Sequence, residues 1–188
     1  MNDNAEIKML SLCHSLDYSL KNATDVQRDD TVLVRYIVKR DWMSLQYASY
    51  RLKNDMATVM SAYSKGPFAI QYASTSLLDN KKFVMGLDNG LVLRFVSDRL
   101  NDDSETVQEM LFHDGLSLKF VSNRLKDDWD TVSLAVTQNG NALQYASDTL
   151  RNDREIVINA VCTKFGNPLQ YASDILRNDM EIVMLSQN

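Results

Sequence analysis

One five-residue pattern returns along this chain at nearly constant spacing, and that periodicity limits the available folds more than any other feature. The segments LQYAS from Leu45, IQYAS from Ile70, LRFVS from Leu93, LKFVS from Leu118, LQYAS from Leu143 and LQYAS from Leu169 follow one another at steps of 25, 23, 25, 25 and 26 residues. A degenerate copy, LKNAT, begins at Leu20, 25 residues before the first of them. Self-similarity at a fixed period of this length marks a repeat architecture in which each copy is one supersecondary unit.

The copies agree well beyond those five residues. Seven positions after the opening apolar residue stands Leu52, Leu77, Leu100, Leu125, Leu150 or Leu176, with Gln27 in that place in the degenerate copy. Ten positions after it stands Asp30, Asp55, Asn80, Asp103, Asp128, Asp153 or Asp179, and four further on is always valine, from Val34 to Val183. Gly66, Gly90, Gly115, Gly140 and Gly166 come later in their copies. Asp and Asn accept bonds from the orphan N–H groups that open a helix. Acidic residues two positions on, such as Glu105, Asp130, Glu155 and Glu181, suit the positive end of the helix dipole. Glycine, free to take positive φ, is the usual stop. Each copy is therefore predicted to be a helix, a turn ending in the Asp cap, a second helix and a glycine turn. In the sixth copy the two helices are expected at about 142–151 and 154–164.

Read at 100° per residue, the first helix has one apolar stripe about 100° wide, made by its two leucines, the Ala or Val and the Ser. Its aromatic residue (Tyr47, Tyr72, Phe95, Phe120, Tyr145 or Tyr171) falls about 200° from the first leucine, on a second flank. A helix with two apolar flanks is one packed between neighbours. Helices this short are marginal in isolation, so stability must come from the contacts of each copy with the next. The expected fold is all-α: tandem helical hairpins of about 25 residues stacked as an α-solenoid-like array. It is expected to form one domain over 1–188, with repeats near 20–41, 44–66, 69–90, 92–115, 117–140, 142–166 and 168–188. A capping helix is expected at about 4–16, where Ile7, Leu10, Leu12, Cys13 and Leu16 are apolar.

Composition agrees with a packed helical protein. Apolar residues make up 45% and charged residues 24%, enough apolar surface to offset the entropy of ordering. Two prolines and six glycines are few for an all-β chain rich in tight turns. The net charge of -5 argues against nonspecific binding to nucleic acid or an anionic membrane. Cys13 and Cys162 lie far apart with no CxxC and no Cys/His ligand spacing, so a reducing compartment is expected. The polar opening from Met1 to Lys8 is no secretory signal, and no apolar run nears the roughly 20 residues that span a bilayer. The expected setting is intracellular.

The pattern L-x-[YF]-[AV]-S-x-x-L-x-[ND]-[DN]-x-x-x-V with a following glycine resembles the repeat family called domain of unknown function 4116 (DUF4116). The segment LQYASDTLRNDREIV, from Leu143 to Val157, is similar to a near-ideal member. The resemblance runs from about Leu20 to Val183 and is clear from Leu45 onward. It implies a helical repeat fold and no assigned activity or catalytic residue. Such repeats occur in protists, amoeba-dwelling bacteria and large DNA viruses, which implies a cytoplasmic, host-cell or virus-associated location.

No side-chain constellation calls for chemistry. The recurrent Ser49, Ser74, Ser97, Ser122, Ser147 and Ser173 cannot each be a unique nucleophile, which needs its own base and oxyanion site. They read as small helix-contact residues whose hydroxyls bond the preceding turn. The pairs Asp102–Asp103 and Asp127–Asp128 lack the spacing of a calcium loop, so capping is assigned to one Asp of each pair and solvent exposure to the other. His14 and His113 have no partner at ligand spacing, and no P-loop, GxGxxG, HExxH or GxSxG occurs. No cofactor and no metal is expected, and the chain is read as a non-enzyme.

Two features bear on binding. Arg51, Lys53, Arg99, Arg124, Lys126, Arg151 and Arg177 recur near the end of the first helix. In a regular stack they would line one edge, as a stripe for phosphates or an acidic peptide; the plainer account is that they neutralise the Asp-rich turns. Tyr50 stands where other copies carry Asp, Asn or Thr. Tyr50, Arg51, Arg99, Arg124, Arg151 and Arg177 are therefore the candidate contacts for a protein partner. The leading expectation is a non-enzymatic interaction or scaffolding module. The alternatives are a structural subunit of a larger assembly and, remotely, an enzyme with an unrecognised site. Trp42 stands where the turn glycine is expected, and the pattern offers no reason for it.

Overall fold

The structure, a computed structural model, describes residues 11–163 and 166–187. All regular structure among the described residues is helical. The chain divides into two compact units, one ending at Phe83 and the other beginning at Val84.

The Asp caps form as the spacing predicts. Asp55 accepts from the Thr58 N–H at 2.8 Å, Asp103 from Thr106 at 2.9 Å, Asp128 from Thr131 at 2.9 Å and Asp153 from Ile156 at 2.9 Å. Asn80 does the same for Phe83 at 3.1 Å. These caps open the long helices Met56–Tyr63, Ser104–His113, Trp129–Gln138 and Arg154–Val161, while Asp30 and Asp179 open Thr31–Val38 and Met180–Leu185. The valine four residues after each cap is fully buried from Val34 to Val157, and only Val183, in the last copy, is half-buried.

The first helix of each copy is not continuous, which corrects the expectation over 142–151. The sixth copy has a 3-10 turn, Gly140–Tyr145, then Ala146 and Ser147 in extended backbone, then a four-residue helix, Asp148–Arg151. The same break separates Trp42–Tyr47 from Tyr50–Lys53, Pro67–Tyr72 from Thr75–Leu78, and Gly115–Phe120 from Asn123–Lys126. Its cause is tertiary. The Ser147 N–H donates not to its own helix but to the Lys126 carbonyl of the preceding copy, at 2.9 Å. A wheel drawn through this segment therefore has no meaning, although the buried set survives: Leu45, Leu52, Leu93, Leu100, Leu118 and Leu125 have no exposed surface. The aromatics, including Phe120 and Tyr145, are half-buried.

Within each unit the packing is between successive copies. In the second unit the long helix Ser104–His113 packs on Trp129–Gln138, that helix on Arg154–Val161, and that one on Met180–Leu185. The 3-10 turns Gly90–Arg94, Gly115–Phe120, Gly140–Tyr145 and Pro168–Tyr171 pack in the same succession. In the first unit Thr31–Val38 packs on Met56–Tyr63, and Trp42–Tyr47 on Pro67–Tyr72.

The turn glycines do a different job from the one expected. Among the described glycines positive φ is found only at Gly166, with φ +88°. Gly90, Gly115 and Gly140 instead sit against the next long helix: a Cβ there would lie 2.6 Å from the Met110 carbonyl oxygen, 2.3 Å from that of Ala135 and 2.3 Å from that of Ala160. They are small because a neighbouring backbone occupies the space. Trp42 belongs to the same set. Its ring fills the space over Gly66, where a Cβ would meet the indole nitrogen at 2.6 Å, and stacks on Tyr72 with ring centres 6.2 Å apart.

Residues 11–15 are helical, with Cys13 and Leu16 buried; the rest of the capping helix expected at about 4–16 lies outside the described residues. In the degenerate copy, Gln27 serves a capping box. Its side-chain amide oxygen accepts the Thr24 N–H at 2.8 Å, and the Thr24 hydroxyl accepts the Gln27 N–H at 3.3 Å.

Candidate functional site

The recurring Ser and the Asp or Asn that precedes the next cap form one device. Each Ser opens its short helix by accepting the N–H of the buried leucine three residues on: Ser49 from Leu52 at 3.3 Å, Ser74 from Leu77 at 3.1 Å, Ser122 from Leu125 at 3.3 Å, Ser147 from Leu150 at 3.2 Å. The same hydroxyl donates backward to the preceding copy. Ser49 meets Asp29, Ser122 meets Asp102 and Ser147 meets Asp127, while Ser74 reaches Asn54 at 2.5 Å and Ser173 reaches Asn152 at 2.6 Å. The Ser N–H adds a third bond, to Arg28, Lys53, Asn101, Lys126 or Arg151, all at 2.9 to 3.0 Å. The Ser is thus a cap and a clasp at once. The first Asp of each Asp pair, assigned from sequence to mere exposure, is the acceptor of that clasp.

Ser122→Ala removes both the cap and the clasp while leaving Leu118 and Leu125 in place. A loss of about 1–2 kcal/mol is expected, at the upper end for a helix cap. Urea unfolding at neutral pH reads it, and a change within about 0.5 kcal/mol, the size of an ordinary surface substitution, would refute the clasp.

The arginines proposed as a ladder occupy two registers. Arg51 and Arg124 lie two residues after the Ser and reinforce the clasp: Nε of each is 3.0 Å from a carboxylate oxygen of Asp29 or Asp102, and the terminal nitrogen is 2.6 Å from that residue's carbonyl. Arg99 shares this register and is exposed on the short helix Asp98–Asn101. Arg151 and Arg177 lie four residues after the Ser and pair within their own helices with Asp148 and Asp174. Lys126 shares that second register; its amine donates to the Lys119 carbonyl at 2.9 Å, and burial pushes its pKa down. Tyr50 is 65% exposed, with its hydroxyl 3.2 Å from Ser76 Oγ. A shallow groove of about 280 Å³ is lined by Asp148, Arg151, Tyr171, Ala172, Ser173 and Asp174. Within it Asp148 pairs with Arg151, while Asp174 pairs with Arg177 outside the lining.

Two further recurrences escaped the sequence reading. Asp41, Asn89, Asp114 and Asn139 cap the 3-10 turns, accepting from the N–H two residues on at 3.0 to 3.1 Å. Thr58, Thr106 and Thr131 are fully buried and donate to their cap carboxylates at 2.5 to 2.6 Å. Long arginines also reach forward to the next copy's cap: Arg35 to Asp55 at 2.8 Å and Arg154 to Asp179 at 2.5 Å.

These contacts lower the carboxylates' pKa values. Asp29 and Asp102 are lowered first by the hydroxyls of Ser49 and Ser122, Asp128 by the Thr131 hydroxyl and Asp179 by the Arg154 guanidinium. For Asp55 burial pulls upward, and the bonds from Thr58 and Arg35 together overcome it. A carboxylate depressed in the folded state stabilises the fold above its unfolded pKa of about 3.9, and that contribution is lost as pH falls through the lower folded value. The melting temperature should therefore hold down to about pH 5 and fall steadily below about pH 4. A thermal melt series followed by circular dichroism checks this; an unchanged melting temperature at about pH 2.5 would contradict it.

Among the described residues no three His, Cys, Asp or Glu side chains are grouped to hold a metal ion. Among them, too, no helix is long and apolar enough to cross a membrane. No curated protein and no solved structure gives a significant match to the chain. The family model described as "Domain of unknown function (DUF4116)" matches residues 33–78, 103–151, 128–164 and 153–186. The last three matches begin at the caps Asp103, Asp128 and Asp153, so the matched unit starts where a long helix starts. The matches together cover more than half of the sequence, and the chain belongs to the DUF4116 family.

Proposed function

We propose that this chain is a non-enzymatic binding module, an α-solenoid-like array of short helical repeats whose exposed, non-recurring side chains contact a protein partner inside the cell. The observation that supports this most is the clasp. Recurring Ser, Asp, Gly and Leu positions are consumed in holding one copy to the next. Some positions that vary between copies are buried, such as Leu33, Thr58 and Ile156, but others, Tyr50 among them, face solvent. A fold that spends its shared residues on self-association and varies the rest suits recognition by an extended surface. The test is capture: purified chain, immobilised, is exposed to lysate of its native host and bound proteins are quantified by mass spectrometry. A reproducible partner whose binding falls on substitution of exposed, varying residues supports the reading; no partner above background refutes it.

A second reading, a structural subunit of a larger assembly, is favoured by one feature. The last copy exposes Ile175, Met180 and Met184 to between 60% and 76% of their surface. Concentration-dependent association in sedimentation supports this reading, and a monomer at every concentration refutes it.

A further inference from the structure

The fourth and fifth copies depart from the others together. Directly after the opening apolar residue, the remaining regular copies carry Gln46, Gln71, Gln144 and Gln170. Three of these fold back on their own turns: Gln46 donates to the Met43 carbonyl at 3.0 Å, Gln144 to Asn141 at 2.9 Å and Gln170 to Asn167 at 2.9 Å. The fourth and fifth copies have Arg94 and Lys119 in that place. Both are exposed, and neither makes an ion pair among the described residues. The aromatic that follows changes with them, from Tyr to Phe95 and Phe120, and each cation lies over its neighbouring ring at 5.6 and 5.9 Å. The turns thus give up a local bond and display a cation on an apolar platform.

An exposed apolar residue lies beside each of these cations. Two residues before the opening apolar residue the sixth and seventh copies have Asn141 and Asn167, whereas the fourth and fifth have Leu91 and Leu116, 37% and 36% exposed. The second and third also carry exposed apolar residues there, Met43 and Phe68, but with Gln rather than a cation after the opening residue. The turns that carry them, Gly90–Arg94 and Gly115–Phe120, pack on one another. Phe112, 61% exposed, stands in the last turn of Ser104–His113. That helix lies against Gly90 through its Met110 carbonyl, which brings its end beside Leu91. Of the acids nearby, Asp114 accepts the Leu116 N–H at 3.0 Å, and Glu109 lies 3.6 Å from His113, so neither pairs with Arg94 or Lys119. Adjacent turns thus show exposed leucines and two cations that have no acidic partner among the described residues, in a chain of net charge -5.

We propose that Leu91, Arg94, Phe112, Leu116 and Lys119 form a docking site for an acidic protein segment that carries apolar side chains. This rests on the binding-module reading and locates it. Charge complementarity selects the sign of the occupant: glutamates or aspartates meet Arg94 and Lys119 while leucine- or phenylalanine-type residues cover Leu91, Phe112 and Leu116.

The test uses the full chain and a short fluorescein-labelled peptide of mixed Glu and Leu, followed by anisotropy. The control protein combines L91N, R94Q, L116N and K119Q, residues that the sixth and seventh copies already carry at these positions, and its unchanged melting temperature shows that it folds. The expected result is binding to the native chain that weakens about tenfold or more in the control protein and falls with added salt. Four results each overturn the proposal: no binding of the peptide, equal affinity for both proteins, equal affinity for a Lys and Leu peptide, or release by these substitutions of labelled single-stranded RNA instead. Running the lysate capture with both proteins separates the two claims. Equal recovery of a partner removes this site and leaves the binding module standing, whereas no recovery from the native chain removes the module itself.

Discussion

Replacing Leu118 by alanine should destabilise the protein by about 2–5 kcal/mol, the range for emptying a buried leucine site. Leu116→Ala, two residues away in the same turn, should change it by no more than about 0.5 kcal/mol. Leu118 has no exposed surface, while Leu116 is 36% exposed. The contrast follows from the 3-10 geometry of Gly115–Phe120, where three residues make a turn and positions 115 and 118 fall on one side. Urea unfolding of both variants gives the comparison, and similar losses at the two sites would contradict the placement of this turn against its neighbours.

Gly115→Ala adds one methyl group and should cost about 1–3 kcal/mol by overpacking. The added Cβ would lie 2.3 Å from the Ala135 carbonyl oxygen, a backbone atom within the helix Trp129–Gln138 that cannot turn aside. Gly66→Ala first meets the Trp42 side chain, at 2.6 Å, which can rotate at the expense of its stacking on Tyr72. The first substitution should therefore be the more damaging. The same two unfolding curves measure it; an equal or larger loss at Gly66 would show that the glycine recurs for some other reason than its neighbour's backbone.

Much of this architecture was legible because it is local. Asp103 followed by Val107 announces a capped helix with one buried side, and that is what forms. The break after Tyr145 was not legible. Ala146 and Ser147 contain neither Gly nor Pro, and Leu143 and Leu150 are spaced as well for one helix as for two pieces. What breaks the segment is the Lys126 carbonyl, supplied by the preceding copy. The glycines misled for a related reason: residue type alone does not distinguish a positive φ, found at Gly166, from a close backbone approach, found at Gly140. The arginine ladder could have been resolved earlier. Counting from the Ser puts Arg51, Arg99 and Arg124 at one position and Arg151 and Arg177 at another, two residues along. The exposed leucines of the fourth and fifth copies were visible as letters, but their exposure depends on the 3-10 turn that presents them.

The central claim is that no copy holds its shape without the copies beside it. Far-ultraviolet circular dichroism of a synthetic peptide spanning 115–138, which contains the Gly115 turn, the Ser122-capped short helix and the Trp129–Gln138 helix, tests it directly. With Gly115, Leu118, Val132 and Ala135 stripped of their neighbours, the account predicts a disordered spectrum that changes only gradually on heating. A helical spectrum with a cooperative melt would contradict it.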